Sequence, residues 1–193
     1  MWLEEVQRLL AAVPVRRNAE SNGLVVAAVL VPLYVAAGQL WVLLTQRTDS
    51  LPHHGGQVAF PGGVRKEGDE NEVATARREA HEELGIGPSH VVALGQLNDV
   101  WTPSGFLISP VVGAIPYPLM IRPATEEVEA IVRVPFSYLA NPEVVEQQEL
   151  EIAGERVASP IYNYRNHRIW GATARILTDL TARLTGGAAP VGE

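Results

Sequence analysis

Cysteine is absent from the 193 residues of this chain. That excludes disulfides, a thiolate zinc site and a cysteine nucleophile, and it leaves the redox compartment unread. Lysine is nearly absent: Lys66 stands alone against fourteen arginines. Positive charge is short overall, with 15 Lys and Arg against 22 Asp and Glu, for a net charge of −7. A nonspecific nucleic-acid surface needs a basic stripe, so no nucleic-acid partner is expected. An anionic small molecule remains compatible if a metal bridges the two. The longest apolar run, Leu24 to Ala37, is too short and too β-branched for a membrane span. Met1-Trp2-Leu3-Glu4-Glu5 carries acids where a secretory signal carries bases. The expectation is a cytoplasmic protein with no membrane partner. Internal repeats are absent as well.

The content that remains is 47% hydrophobic, enough for one sizeable core. Residues 1–20 read as an N-terminal helix and linker, 21–185 as the main domain, and 186–193 as a small, polar tail expected to be disordered. The informative stretch runs from Gly55 to Ile86. It holds a short apolar run (Val58, Ala59, Phe60), a Pro61-Gly62-Gly63 turn and a carboxylate-rich helix. Asp69 reads as the N-cap, with Glu72 three residues on as in a capping box. Glu70 and Glu72 suit the positive end of the helix dipole. Gly85 reads as the stop. Val73, Ala76, Ala80 and Leu84 recur at helical spacing as a narrow apolar stripe.

Glu79, Glu82 and Glu83 are related by i, i+3 and i+4, which predicts one shared face. Three such carboxylates repel one another unless a cation sits among them. Hard divalent cations prefer oxygen donors, and magnesium takes carboxylates together with substrate phosphates. Arg78 is placed to pair with a carboxylate. A solvated acidic face would look the same from the helix alone. The Gly-Gly turn and the R-E-x-x-E-E order favour the metal reading.

Arg78-Glu79-Ala80-His81-Glu82-Glu83-Leu84-Gly85-Ile86 resembles the core of the Nudix box, the signature of hydrolases of nucleoside diphosphates linked to another group. The usual box has a glycine, five residues, an acid and seven residues before R-E. Here Gly63, five residues and Asp69 are followed by eight residues before Arg78, one more than usual. Taking Glu70 as the acid moves the extra residue upstream. That insertion resembles the coenzyme A pyrophosphatase branch, as does Leu43-Leu44-Thr45-Gln46-Arg47-Thr48 followed at the branch's spacing by Pro52, Gly56 and Phe60-Pro61-Gly62-Gly63. Ser104-Gly105-Phe106 and Pro110-Val111-Val112-Gly113 match the branch as well. Two positions depart from it: Thr48 replaces a serine, and Pro52 replaces a second arginine.

The resemblance implies an α+β fold, an α/β/α sandwich around a central mixed sheet, and the chain order agrees. An amphipathic helix is predicted over Trp2 to Val13. Strands follow over Leu24 to Val35, buried on both faces, and over Gln39 to Thr45. Thr48 to Gly56 is a loop whose His53 and His54 are assigned loop or substrate-side roles. Val91 to Val100 and Phe106 to Ile115 read as strands, Tyr117 to Ala124 as a loop, Ile131 to Val134 as a strand and Pro135 to Leu139 as a short helix. Leu150 to Ser159 reads as a hairpin centred on Gly154, Ile161 to Trp170 as a last strand, and Gly171 to Leu184 as a closing helix.

The resemblance further implies hydrolysis of coenzyme A, or a derivative, to 3′,5′-ADP and 4′-phosphopantetheine with Mg2+ or Mn2+. Glu79 and Glu83, with Glu82 close by and the carbonyl near Gly63, would hold the metal. Arg47, Thr48, Gly56, Phe60 and Gly62 would meet the substrate, a small nucleotide of coenzyme A type, and a homodimer is a possible assembly. The general base is open between the glutamates of the box and Glu127 on a later loop. Two other readings stand beside this one: a Nudix enzyme for ADP-ribose or a dinucleotide, and a non-catalytic nucleotide-binding module.

Overall fold

The computed structural model describes residues 2–17, 23–49, 55–152 and 155–187, with backbone only for 150–152 and 155–157. Its centre is an eight-stranded mixed sheet. β1 (Val25–Ala36) and β2 (Gln39–Arg47) form a hairpin, and β3 (Val58–Ala59) extends β2. β4 (Gly62–Val64) pairs with β1, and β8 (Val128–Pro135) pairs with β2. On the other flank β7 (Phe106–Ala114) lies parallel to β1 and carries β5 (Val92–Gln96) and β6 (Val100–Trp101). A second sheet holds β9 (Val145–Ile152), β10 (Glu155–Tyr164) and β11 (His167–Ile169).

Period-two alternation along β1 feeds two cores. Ala28, Leu30 and Tyr34 face one side, where α2 (Glu72–Leu84) packs through Ala76, Ala80 and Leu84. Val31 and Leu33 face the other, with Val42, Leu44, Val112, Val132 and Val134. That second face is covered by α1 (Trp2–Ala11) through Val6 and Leu10, and by α4 (Gly171–Thr185) through Ala174, Ile176, Leu177 and Leu180. Tyr162 and Ile169 from the small sheet join it. The result is a sandwich of helices on both faces of a mixed sheet. The run expected to be buried on both faces is so buried, because each face has its own helical cover.

Several expectations need correction. The Asp69 cap is not formed: Asn71 caps α2, its side chain accepting from the Ala74 N–H, so Glu72 starts the helix and Glu70 precedes it. The Gly85 stop is formed, at φ 67°, with its N–H donating to carbonyls of the last turn. Val91 to Val100 is not one strand but β5, an irregular link and β6, because Asn98 and Asp99 are drawn into polar contacts. Ile161 to Trp170 is interrupted by a turn at Arg165-Asn166, where Arg165 adopts φ 55°, and divides between β10 and β11. The hairpin starts earlier than expected, since the polar run from Val145 pairs with β10 by main chain and needs no apolar pattern. Gly154, its expected centre, lies outside the described residues, as do 188–193 of the expected tail. The short helix, α3, runs Phe136–Leu139.

Candidate active site

The site forms where β4 passes under α2. Strand pairing sets Gly63 opposite Ala28, on the face that α2 covers. A Cβ on Gly63 would stand 2.6 Å from Glu79 Oε1, so the absence of a side chain is what lets main chain and carboxylate meet. Gly62 is pressed against β1 instead; a Cβ there would lie 2.6 Å from the Ala28 carbonyl oxygen.

One turn apart on α2, Glu79 and Glu83 are both buried against this strand, at 9% and 4% exposure. Burial pushes the Glu83 carboxyl up to about 8. Arg47 opposes that shift, the carboxylates of Glu79 and Glu127 add to it, and the Gly62 N–H opposes it by hydrogen bonding. Arg47 Nη1 lies 4.0 Å from Glu83 Oε1. Buried Arg47 Nε has no hydrogen-bond partner among the described residues.

Arg78 organises the outer half of the site. Its Nη2 donates to Asp69 Oδ2 at 2.8 Å and to the Val64 carbonyl at 3.0 Å, and its Nε donates to Asp69 Oδ1 at 3.1 Å. Its Nη1 reaches Glu79 Oε1 at 2.6 Å and Glu82 Oε2 at 3.1 Å. Asp69 is further held by the Lys66 N–H and the Thr75 hydroxyl. These contacts, that with Arg78 foremost, hold the Asp69 carboxyl well below the usual carboxylate range and raise the Arg78 guanidinium above its own. Glu82 differs from its two neighbours. It points outward, half-exposed, and bonds to Lys66, which lowers its carboxyl. The single shared face is therefore split, and among the described residues no three acidic or histidine side chains converge as they would around one ion.

The loop from β7 to β8 is tied to the end of α2. The Arg122 and Ala124 N–H groups donate to the carbonyls of Leu84 and Glu83, and the Glu127 N–H donates to Ala124 O. Thr48 closes the circuit: its N–H donates to Glu127 O and its hydroxyl to Glu126 O. Thr48 thus fixes the acidic loop at the end of β2. Gly56, at φ 70°, returns the chain to Arg47, its N–H donating to Arg47 O. Phe60, expected at the substrate, is 4% exposed and packs in the core face opposite α2, so its ring supports the turn from behind. Pro52, His53 and His54 lie outside the described residues. Sequence reading missed the pairing of Lys66 with Glu82; the one signal available was that the chain spends its only lysine three residues past the Gly-Gly turn.

Two buried carboxylates, Glu79 and Glu83, and the main chain near Gly63 are the groups a divalent cation would meet here. Gly63 gives the main chain access to Glu79, and Glu83 is an acid raised by burial, which Arg47 offsets only in part. All of these donors are oxygens, the type that magnesium and manganese prefer.

The chain belongs to the NUDIX family, with the match to that domain running over residues 24–152. It is a Nudix hydrolase, an enzyme acting on phosphoric anhydrides. Among its relatives, the Nudix hydrolase NudL of Photorhabdus laumondii, itself described as uncharacterized, is 36% identical over 171 residues, covering 89% of this chain and 90% of the relative. NudL of Escherichia coli K12 is 37% identical over 158 residues, covering 82% of each. A Nudix hydrolase structure from Alicyclobacillus acidocaldarius superimposes with a TM-score of 0.53 at 17% identity, over 86% of this chain and 98% of that one, a likeness of fold. β10, β11 and α4 lie beyond the matched residues yet pack into the same core. Among the described residues no helix is long and apolar enough to cross a membrane.

Proposed function

We propose that this hydrolase cleaves the pyrophosphate of coenzyme A or its derivatives, releasing 3′,5′-ADP and 4′-phosphopantetheine, with Mg2+ or Mn2+ as cofactor. The observation that carries the choice of substrate is the segment Leu43 to Gly63, whose motif resembles the coenzyme A branch and whose Arg47 and Gly62 face Glu83. In hydrolysis the oxygen of water attacks one phosphorus, the bridging P–O bond breaks, and the proton of the water passes to a carboxylate. Glu79 and Glu83, with the carbonyl near Gly63, would hold the metal. When bound, it neutralises phosphate charge and lowers the pKa of a water. Arg47, whose Nε has no hydrogen-bond partner among the described residues, meets the phosphates. Arg78 holds Glu79 in place, and Glu82 and Glu127 are the candidate bases.

Chromatography of reactions with coenzyme A, dephospho-coenzyme A and ADP-ribose tests this reading. Coenzyme A should give the two named products fastest. Faster turnover of ADP-ribose would reject the substrate and keep the enzyme class. Turnover in excess chelator would reject the metal. Pro52 favours a second reading, in which the 3′-phosphate goes unread. A charged hydrogen bond to it would contribute about 1.5–3 kcal/mol, roughly ten- to a hundredfold in binding. Without one, kcat/KM for coenzyme A and its dephospho form should be similar, and Pro52→Arg should favour coenzyme A.

A further inference from the structure

Thr48 follows β2 directly after Arg47 and is bonded to the segment that carries Glu127. Its N–H donates to the Glu127 carbonyl at 3.1 Å and its hydroxyl to the Glu126 carbonyl at 3.0 Å. The other side of that turn is bonded to α2. The Ala124 N–H donates to the Glu83 carbonyl, and the Ala124 carbonyl accepts from the N–H groups of Glu127 and Val128. Just past the turn the register of β8 against β2 slips, from Ala130 opposite Gln46 to Val128 opposite Arg47. Bulges of this kind re-aim a strand end next to a site. Val128 is thereby buried in the core under α2, and Glu127 beside it is exposed. One threonine thus joins the strand of Arg47 to the turn of Glu127, and that turn to the helix of Glu83. The two candidate bases are held differently. Both carboxylate oxygens of Glu82 are engaged, by Lys66 and Arg78. The Glu127 carboxylate has no hydrogen bond or ion pair among the described residues, and its charge is felt at Glu83.

We propose that Thr48 is a positioning residue for the hydrolysis: its hydrogen bonds hold the 124–127 turn so that Glu127 stands beside Glu83 and takes the proton of the attacking water. This rests on the hydrolytic reading above and deepens it, choosing Glu127 over Glu82 and moving Thr48 from the substrate to the support of the base. Loss of one neutral hydrogen bond shifts the balance between a held and a released turn by up to about tenfold.

The test compares Thr48→Val, which loses the hydroxyl, with Thr48→Ser, which keeps it. Kinetics are measured with Mn2+ on whichever of coenzyme A and ADP-ribose the wild type turns over faster. Thr48→Val should lower kcat about three- to tenfold and leave KM within about twofold. Thr48→Ser should recover most of that loss. In a Glu127→Gln background Thr48→Val should cost no further activity, because the group it positions is gone. In the full-length protein without metal or substrate, amide hydrogen exchange at Glu127 and Val128 should be faster in Thr48→Val than in wild type. The inference is overturned if Thr48→Val leaves kcat unchanged, if it raises KM instead, as loss of a substrate contact would, or if it costs as much in the Glu127→Gln background. Unchanged exchange, a Thr48→Ser that falls as far as Thr48→Val, or a Glu127→Gln that keeps full activity overturns it too. A wild type that turns over neither substrate removes the hydrolytic reading and this inference with it, an outcome distinct from an active wild type that Thr48→Val does not alter.

Discussion

Glu83 is a carboxylate in a place that disfavours its charge. Burial raises it, two acidic neighbours add to the effect, and Arg47 at 4.0 Å offsets only part. In its charged form the residue contributes little to the metal-free fold. Glu83→Gln keeps the shape and removes the charge. Activity should fall by roughly 10²-fold or more, the scale of losing one charge-stabilising group. Urea denaturation of the metal-free protein should show stability no lower than wild type, because no buried charge remains to desolvate. A large loss of stability would mean that the residue is structural. Asp69 is the opposite case. Its carboxyl is held below its ordinary 3.8 by Arg78, so its ionised form stabilises the fold. That contribution is present at pH above 3.8 and is lost as pH falls through the lower folded value. Asp69→Asn should therefore be less stable than wild type at pH 7, with the gap narrowing below about pH 4. Denaturant midpoints across that range check the sign.

At the scale of elements, the Gly-Gly turn performs two separate jobs. Gly62 lies on the main chain of β1, which cannot move without unpairing β4. Gly63 lies on the Glu79 carboxylate, the end of a side chain that Arg78 holds. Gly62→Ala should cost stability, about 1–3 kcal/mol as overpacking does. Gly63→Ala should spare the fold and misplace Glu79, lowering kcat/KM by about 10²-fold. Thermal unfolding and kinetics on the two variants separate these effects. Equal losses in both measurements would show that the turn acts as one structural unit. The helix itself was legible in the sequence, because the stripe Ala76, Ala80, Leu84 and the Gly85 stop are local signals. Its first residue was not. Asp69 looked like a cap, but Arg78 and Thr75 compete for its carboxylate and win, leaving the cap to Asn71.

For the whole molecule, the parts outside α2 are joined by a polar knot. Arg183 on α4, fully buried, donates to Asp179 at 2.9 Å, to the Val13 carbonyl at 2.6 Å and to Asn98 Oδ1 at 2.9 Å. Asp179 in turn accepts from the Asn98 N–H, and Asn98 Oδ1 accepts from the Arg16 N–H. One guanidinium thus joins the closing helix, the link from β5 to β6 and the segment after α1. Arg183→Met strands a buried carboxylate and should cost about 3–5 kcal/mol. The double variant with Asp179→Leu should recover most of that, because no uncompensated charge remains. Urea denaturation of both decides it; equal instability would mean that the loss comes from packing.

The sequence by itself determined the fold class, the order of most elements and the carboxylate helix, because periodicity, capping and turn chemistry act over a few residues. It also determined the family, because the spacing of Arg78, Glu79, Glu82 and Glu83 is local to one helix. Tertiary structure alone decided which of those carboxylates are buried and which is not. Glu79 and Glu83 turn inward because β4 runs beneath them, and Glu82 turns outward because Lys66 arrives from a turn whose path no short-range signal sets. It also decided that Phe60 is core, that Thr48 holds the acidic loop, and that Arg183 on an ordinary amphipathic helix is buried. Each of these depends on partners far away in sequence, and their positions follow only from how the sheet pairs.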